Sequence, residues 1–185
     1  MEPPGGSPTR HRRPTLAGAS IPFAVHNANK RSVVLDSRDD DDRHTFFDLA
    51  PCADIVVDAG GAAFGAAAAE LAERYPQLVV LSITDFGASG PRSSWRATDP
   101  VLFAMSGVLS RSGPTVGTPV LLPDGIASAT AAVQAAWAAL VAYYNKLRCG
   151  TGDYIDFSRF DAVVMALDPA FGVHGQATAG QRTSA

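Results

Sequence analysis

The run Leu78-Val79-Val80-Leu81-Ser82-Ile83 constrains this chain's fold more than any other feature. It is short, rich in β-branched and aliphatic residues, and bounded by Pro76 and Asp85, so it reads as a strand covered on both faces. A strand of that kind belongs inside a parallel sheet, and parallel neighbours need crossover helices. The flanking sequence supplies both. Asp54-Ile55-Val56-Val57-Asp58 is a second strand, followed by the small-residue turn Gly60-Gly61, and Ala66 to Arg74 reads as a helix stopped before Pro76. Ser32-Val33-Val34-Leu35-Asp36 is a further β-branched run. Asp39 to Asp42 then place carboxylates in the first turn of a helix with an apolar face of Phe46, Phe47 and Leu49.

This alternation predicts an α/β fold: a partial Rossmann-like parallel sheet with flanking helices, in which Val33–Asp36, Asp54–Asp58 and Leu78–Thr84 run parallel. Ligands of such sheets collect at the C-terminal strand ends. Here those ends are Asp36-Ser37-Arg38, Asp58-Ala59-Gly60-Gly61 and Asp85-Phe86-Gly87, all polar or glycine-bearing. Beyond Gly90-Pro91 the pattern predicts a short helix over Asp99 to Met105 and a Gly/Pro/Ser-rich stretch from Gly107 to Pro123. A long helix and a short strand follow. Val133, Trp137, Leu140, Tyr144 and Leu147, spaced by four, three, four and three, form one apolar stripe on that helix. Lys146 and Arg148 suit its C-terminus, and Gly150 suits the C′ position. Asp153 to Ser158 alternates as the short strand, and Phe160 to Leu167 reads as helical.

Composition narrows the class. With 46% hydrophobic and 18% charged residues the chain has a globular balance, and a net charge of −3 argues against a nucleic-acid partner. Arg10, His11, Arg12 and Arg13 are a local basic cluster in a Pro/Gly-rich stretch, most simply a solvated arm. Cys52 and Cys149 have no metal-ligand spacing and make no disulfide framework, which fits a cytoplasmic protein. The apolar stretch Ile126 to Leu140 is too short to span a bilayer, so no membrane partner is expected. Three regions follow: an irregular N-terminal arm over 1–20, a domain over 21–170, and a disordered tail over 171–185.

Five segments, in order, carry a resemblance. Glu2-Pro3-Pro4-Gly5-Gly6-Ser7-Pro8-Thr9-Arg10, Asn27 to Asp36, Ala53 to Asp58, Ser82 to Pro91, and Gly150 to Ser158 are similar to marker segments of the class III CoA-transferase family, which includes α-methylacyl-CoA racemases. The resemblance implies coenzyme A as substrate, in the form of an acyl-CoA, with a carboxylic acid as acceptor. It also implies a chain incomplete at both ends: the family's first strand–helix–strand unit and its second domain have no counterpart here. A homodimer, or pairing with a full-length homologue, is then expected.

In that family an aspartate carboxylate attacks the acyl-CoA thioester and passes through an aspartyl-CoA thioester. A carboxylate suits this role because it is both nucleophile and leaving group. The resemblance places the aspartate just before the long helix, where Asp124 stands in Leu121-Leu122-Pro123-Asp124-Gly125. Counting back from Gly150 without gaps, the position falls instead on Ser128, four residues later. A competing reading makes Asp124 an N-cap or turn residue. The family's CoA contacts map onto Leu35, Ser37 and Arg38 and onto Arg96 and Asp99, with Arg38 and Arg96 as phosphate partners or, alternatively, plain surface arginines. Ala59 and Ala67 replace an asparagine and an arginine of the family pattern. Thr98 stands where racemases need a histidine, which argues against racemase chemistry.

Overall fold

The computed structural model describes residues 1–59, 67–113 and 117–167. They form two compact units, Met1–Cys52 and the described residues from Ala53 onward.

In the first unit, a 3-10 turn (Pro8–His11) and a hairpin of β1 (Thr15–Leu16) and β2 (Ala19–Ser20) occupy the arm over 1–20 expected to be irregular, and helix α1 (Ile21–His26) follows. Ser20 caps α1 by accepting the Phe23 N–H at 3.2 Å. Helix α2 (Asp40–Leu49) starts on Asp39, whose carboxylate accepts the Asp42 N–H at 3.0 Å, and Asp40, Asp41 and Asp42 fill its first turn. Of its expected apolar face, Phe46 is buried while Leu49 is exposed.

The run at Val33–Asp36 departs from expectation. It is not a strand of the main sheet; Val34 makes an isolated parallel bridge with Glu2. The Glu2 N–H donates to the Val33 carbonyl and the Leu35 N–H to the Glu2 carbonyl, at 2.9 and 3.0 Å. These bonds give the run a local partner from the start of the chain. Strand propensity predicted an extended segment correctly, but propensity does not choose the neighbour.

The second unit holds the parallel sheet, in the order β3 (Ile55–Asp58), β4 (Val79–Thr84), β5 (Tyr154–Ser158). Val80 pairs with Val56 on one side and Tyr154 on the other. β4 is therefore central, as its apolar run requires, and Leu78 to Leu81 are buried. The short strand after the long helix is not an appendage but the third member of this sheet. Helix α3 (Ala68–Arg74) precedes β4. The expected Gly60-Gly61 turn and the tail at 171–185 lie outside the described residues. Helix α4 (Asp99–Met105) covers the predicted span, and α6 (Arg159–Leu167) begins one residue earlier than predicted.

Helix α5 (Ile126–Cys149) has 24 residues, long and apolar enough to cross a membrane by length and composition. It lies on the sheet instead. Ala135 and Ala139 pack on Leu81, with Ile55, Ile83, Ile155 and Phe157 around them, and Ala127, Ala131 and Ala142 continue the buried edge. An apolar stripe of large residues ordinarily faces the core. Here Val133, Trp137, Leu140, Tyr144 and Leu147 are all exposed. The reason is packing distance: α5 is uncharged on every side from Ile126 to Asn145, so periodicity selects no face, and the alanine edge lets the helix approach the branched side chains of the sheet. Gly150 ends the helix in the left-handed region (φ +76°), with its N–H donated to the Lys146 carbonyl at 2.7 Å.

A second core, of Leu102, Phe103, Val108, Ala127 and Val163, joins α4, α5 and α6. Phe86, Phe160, Leu122 and Ile126 pack around it. Ala127 brings the first turn of α5 into this core, and Phe86, just past β4, packs against it.

Candidate active site at the start of helix α5

Four side chains meet where β4 ends and α4, α5 and α6 begin. Asp85, just past β4, accepts the Ala97 N–H at 2.9 Å on one oxygen and Arg159 Nη1 at 2.5 Å on the other. Arg159 opens α6 and directs its second nitrogen, Nη2, to Asp99 Oδ1 at 3.0 Å and Ser128 Oγ at 2.9 Å. Asp99, the first residue of α4, receives three more donors: the Ser128 hydroxyl on Oδ1 at 2.8 Å, and the N–H groups of Gly125 and Ser128 on Oδ2 at 3.0 and 3.3 Å. Asp99 is buried and Asp85 nearly so, while Arg159 retains 20% side-chain exposure.

The arrangement has a local cause. The N-cap of α5 is Gly125, in the left-handed region (φ +90°), and it has no side chain to satisfy the helix's first N–H groups. Asp99 does this from another helix. Of the two alternatives in the competing reading of Asp124, N-cap or turn residue, the N-cap is Gly125 and Asp124 lies one residue earlier, exposed, in the turn. Ser128, the ungapped nucleophile position, sits in the first turn with its hydroxyl donated to a carboxylate and its oxygen accepting from a guanidinium. A hydroxyl so held lacks a free base to activate it, because the Asp99 oxygens already accept four hydrogen bonds.

Of the remaining expected residues, Leu35, Ser37 and Arg38 belong to the first unit and Arg96, Asp99 and Asp124 to the second. Leu35 is buried, and Ser37 is exposed. Arg38 is 84% exposed and pairs with Asp36 at 3.1 Å; the guanidinium holds the Asp36 carboxyl below its ordinary range. Arg96 is exposed. Asp99 and the Asp124-Gly125 turn are brought together across 26 positions of sequence by the Gly125 N–H bond. A recess of about 230 Å³ in the first unit is lined by Glu2, Arg10, Phe23, Asn27, Lys30 and Arg31, not by the Leu35–Arg38 segment. Among the described residues no cluster of three or more His, Cys, Asp or Glu side chains could hold a metal ion.

Sequence reasoning missed Arg159. A signal existed: a cation in the first turn of a helix opposes the dipole and needs a specific anionic partner. Arg159 has two, Asp85 and Asp99.

A sheet that ends on a polar cluster, with the start of a long helix beside it, defines a class of α/β proteins whose ligands sit at the strand ends. The chain belongs to CoA-transferase family III, whose profile matches residues 1–185. It is 76% identical over 188 residues to the probable CoA-transferase Rv1866 of Mycobacterium tuberculosis, covering all of this chain and 24% of that protein. It is 31% identical to the succinyl-CoA:(R)-benzylsuccinate CoA-transferase subunit BbsE of Thauera aromatica, over 92% of this chain and 44% of the relative. The crystal structure of a CAIB/BAIF family protein from Brucella suis superposes with a TM-score of 0.85 at 25% identity, covering 99% of this chain and 50% of that one. The chain thus spans half or less of the length of these relatives.

Proposed function

We propose that this chain is the acyl-CoA-binding part of an acyl-CoA:carboxylate CoA-transferase, with Asp124 as the carboxylate that carries CoA. The observation that carries the reading is an exposed aspartate at the start of α5, in a chain of this family, one residue before the helix N-cap. In the first step a carboxylate oxygen of Asp124 bonds to the thioester carbonyl carbon, the C–S bond breaks, and CoA leaves as thiolate. That thiolate then attacks the aspartyl carbonyl of the mixed anhydride, forming an aspartyl-CoA thioester and releasing the donor acid as carboxylate. The acceptor carboxylate repeats the sequence in reverse and leaves as its CoA thioester. Arg38 and Arg96 bind CoA phosphates through charge-assisted bonds, with Leu35 and Ser37 shaping the adjoining segment. Asp99 acts as a positioning residue, holding the Gly125 and Ser128 N–H groups and so the turn that bears Asp124. The reducing cytoplasm suits a protein whose Cys52 and Cys149 are both free and exposed.

One observation favours a second reading, a non-catalytic partner of a longer homologue. The ungapped nucleophile position is Ser128, and its hydroxyl is engaged by both Asp99 and Arg159. The experiment that separates the readings is trapping. The chain is incubated with an acyl-CoA, treated with hydroxylamine or borohydride, and mapped by mass spectrometry. An adduct on Asp124 that disappears in Asp124→Asn supports the transferase. An adduct on Ser128 removes Asp124 from the mechanism. No adduct on a folded chain that binds CoA supports the non-catalytic partner.

A further inference from the structure

Three cations outside the site above, Arg10, Lys30 and Arg31, line the recess of about 230 Å³ in the first unit. Like charges repel, so cations gathered around one hollow need anions to hold them there. Among the described residues the lining has a single carboxylate, Glu2, and its oxygens are already engaged. Its Oε2 accepts from Arg10 Nε at 2.6 Å and the Ser7 N–H at 2.9 Å. Its Oε1 accepts from Arg10 Nη2 at 2.6 Å and the Ser32 hydroxyl at 2.8 Å. Glu2 thus answers Arg10 and leaves the other two cations unmatched. Lys30 Nζ donates to a neutral acceptor, Asn27 Oδ1, at 3.2 Å. Among the described residues the Arg31 guanidinium makes no ion pair.

The backbone brings the two unmatched cations to one place. Consecutive side chains of an extended segment point to opposite sides. Lys30 and Arg31 nevertheless line the same hollow, directly after a turn in which the Lys30 N–H is donated to the Asn27 carbonyl at 3.2 Å. Asn29, inside that turn, stands in the left-handed region at φ +62°. That conformation costs a residue with a side chain, and asparagine is among the few that tolerate it.

We infer that this recess binds a phosphoryl group, with Lys30 and Arg31 as its cationic partners. Charge selects the ligand. A phosphate monoester carries close to two negative charges at neutral pH and offers three acceptor oxygens, which matches one ammonium and one guanidinium. A carboxylate would match one cation and leave the other. An arginine fork and a lysine point charge are also the two side chains that ordinarily hold phosphate. The whole chain has a net charge of −3, so a local excess of cations is not its background.

Size limits what enters. The recess is smaller than the roughly 300–1,000 Å³ of sites that enclose a drug-sized molecule, so it takes the phosphorylated end of a ligand rather than all of it. The 3′-phosphate of CoA and a separate phosphorylated molecule present the same chemistry. The inference does not involve Asp124, so it stands or falls apart from the transferase reading.

The test is a titration of the whole chain with inorganic phosphate in a phosphate-free buffer, followed by phosphorus NMR. Saturable binding is expected, and Lys30→Ala and Arg31→Ala should each raise the dissociation constant about 10- to 100-fold, as loss of a charge-assisted bond does. Both side chains are exposed, and far-UV circular dichroism checks that the variants fold. Arg148→Ala, which removes an exposed cation at the end of α5, should leave binding unchanged. Competition then identifies the source. Displacement of phosphate by CoA but not by dephospho-CoA assigns the recess to the 3′-phosphate, displacement by both assigns it to the diphosphate, and displacement by neither assigns it to a separate phosphorylated ligand; all three sustain the site.

Several results would overturn the inference. Absence of phosphate binding by the folded chain would do so, as would binding that survives both recess substitutions or falls equally in Arg148→Ala. Succinate binding as tightly as phosphate, with the same dependence on Lys30 and Arg31, would remove the assignment to a phosphoryl group.

Discussion

The carboxylate of Asp99 accepts a 3.0 Å hydrogen bond from the Gly125 N–H, 26 positions further along the chain, and so caps a helix whose own N-cap residue has no side chain. Asp99→Ala should therefore cost more than an ordinary cap, because it also removes a buried partner of Arg159. A loss of about 3 kcal/mol is expected from the two effects together, read by urea unfolding. Asp99→Asn should cost less, since its amide oxygen still accepts from the helix.

Arg159 links Asp85 to Asp99, and its removal leaves two poorly solvated carboxylates without their cation. Arg159→Met should destabilise the second unit by about 3 kcal/mol. Combining it with Asp85→Asn should cost less than the sum of the single changes, because the second change removes a charge the first has stranded. A double-mutant cycle by chemical denaturation measures this directly. Strict additivity would show that the 2.5 Å contact contributes nothing in solution.

Two glycines separated only by Thr151 should respond to alanine for different reasons. At Gly152 a Cβ would stand 2.0 Å from the Leu78 carbonyl oxygen, where backbone must move, and the Gly152 N–H is bonded to the Pro76 carbonyl at 2.8 Å. Gly152→Ala should cost about 3 kcal/mol and lower expression. At Gly150 there is open space but a left-handed backbone, so Gly150→Ala should cost only about 1 kcal/mol. Thermal unfolding of the pair distinguishes clash from conformational strain.

Glu2 ties the start of the chain to Arg10 and Ser32 while its carboxylate is ionised. Its carboxylate accepts from Arg10 at 2.6 Å, the Ser7 N–H at 2.9 Å and the Ser32 hydroxyl at 2.8 Å. Led by the Arg10 bond, these lower its pKa from 4.5 to about 2. A depressed folded pKa gives stability that is present above the unfolded value and lost as pH falls. The Glu2–Val34 bridge should therefore weaken between pH 4.5 and about 2. Glu2→Gln should abolish that dependence, as followed by amide exchange at Leu35. An exchange profile unchanged by the substitution would show that another group controls the transition.

For CoA binding, Arg38→Ala and Arg96→Ala should each weaken affinity by about 1.5–3 kcal/mol, the worth of a charge-assisted bond to phosphate. Arg38 must leave Asp36 to make it, so its effect should be the smaller. Calorimetry showing unchanged affinity in both variants removes the two residues from the site.

The sequence alone determined the elements that depend on local chemistry. β4 was legible because five of the six residues from Leu78 to Ile83 are apolar, and α4 because Asp99 and Pro100 open it as helix N-termini require. The end of α5 was legible in Gly150, and the family in five short segments. What tertiary structure decided was partnership. Val34 took Glu2 rather than a strand of the sheet, and the strand after α5 took β4. α5 turned its alanines to the sheet because a helix apolar on every side has no preferred face until something limits how close it can come. Arg159 found Asp85 and Asp99 across 74 and 60 positions. Propensity and periodicity act over a few residues, whereas burial, approach distance and charge pairing are settled only when distant segments compete for the same space.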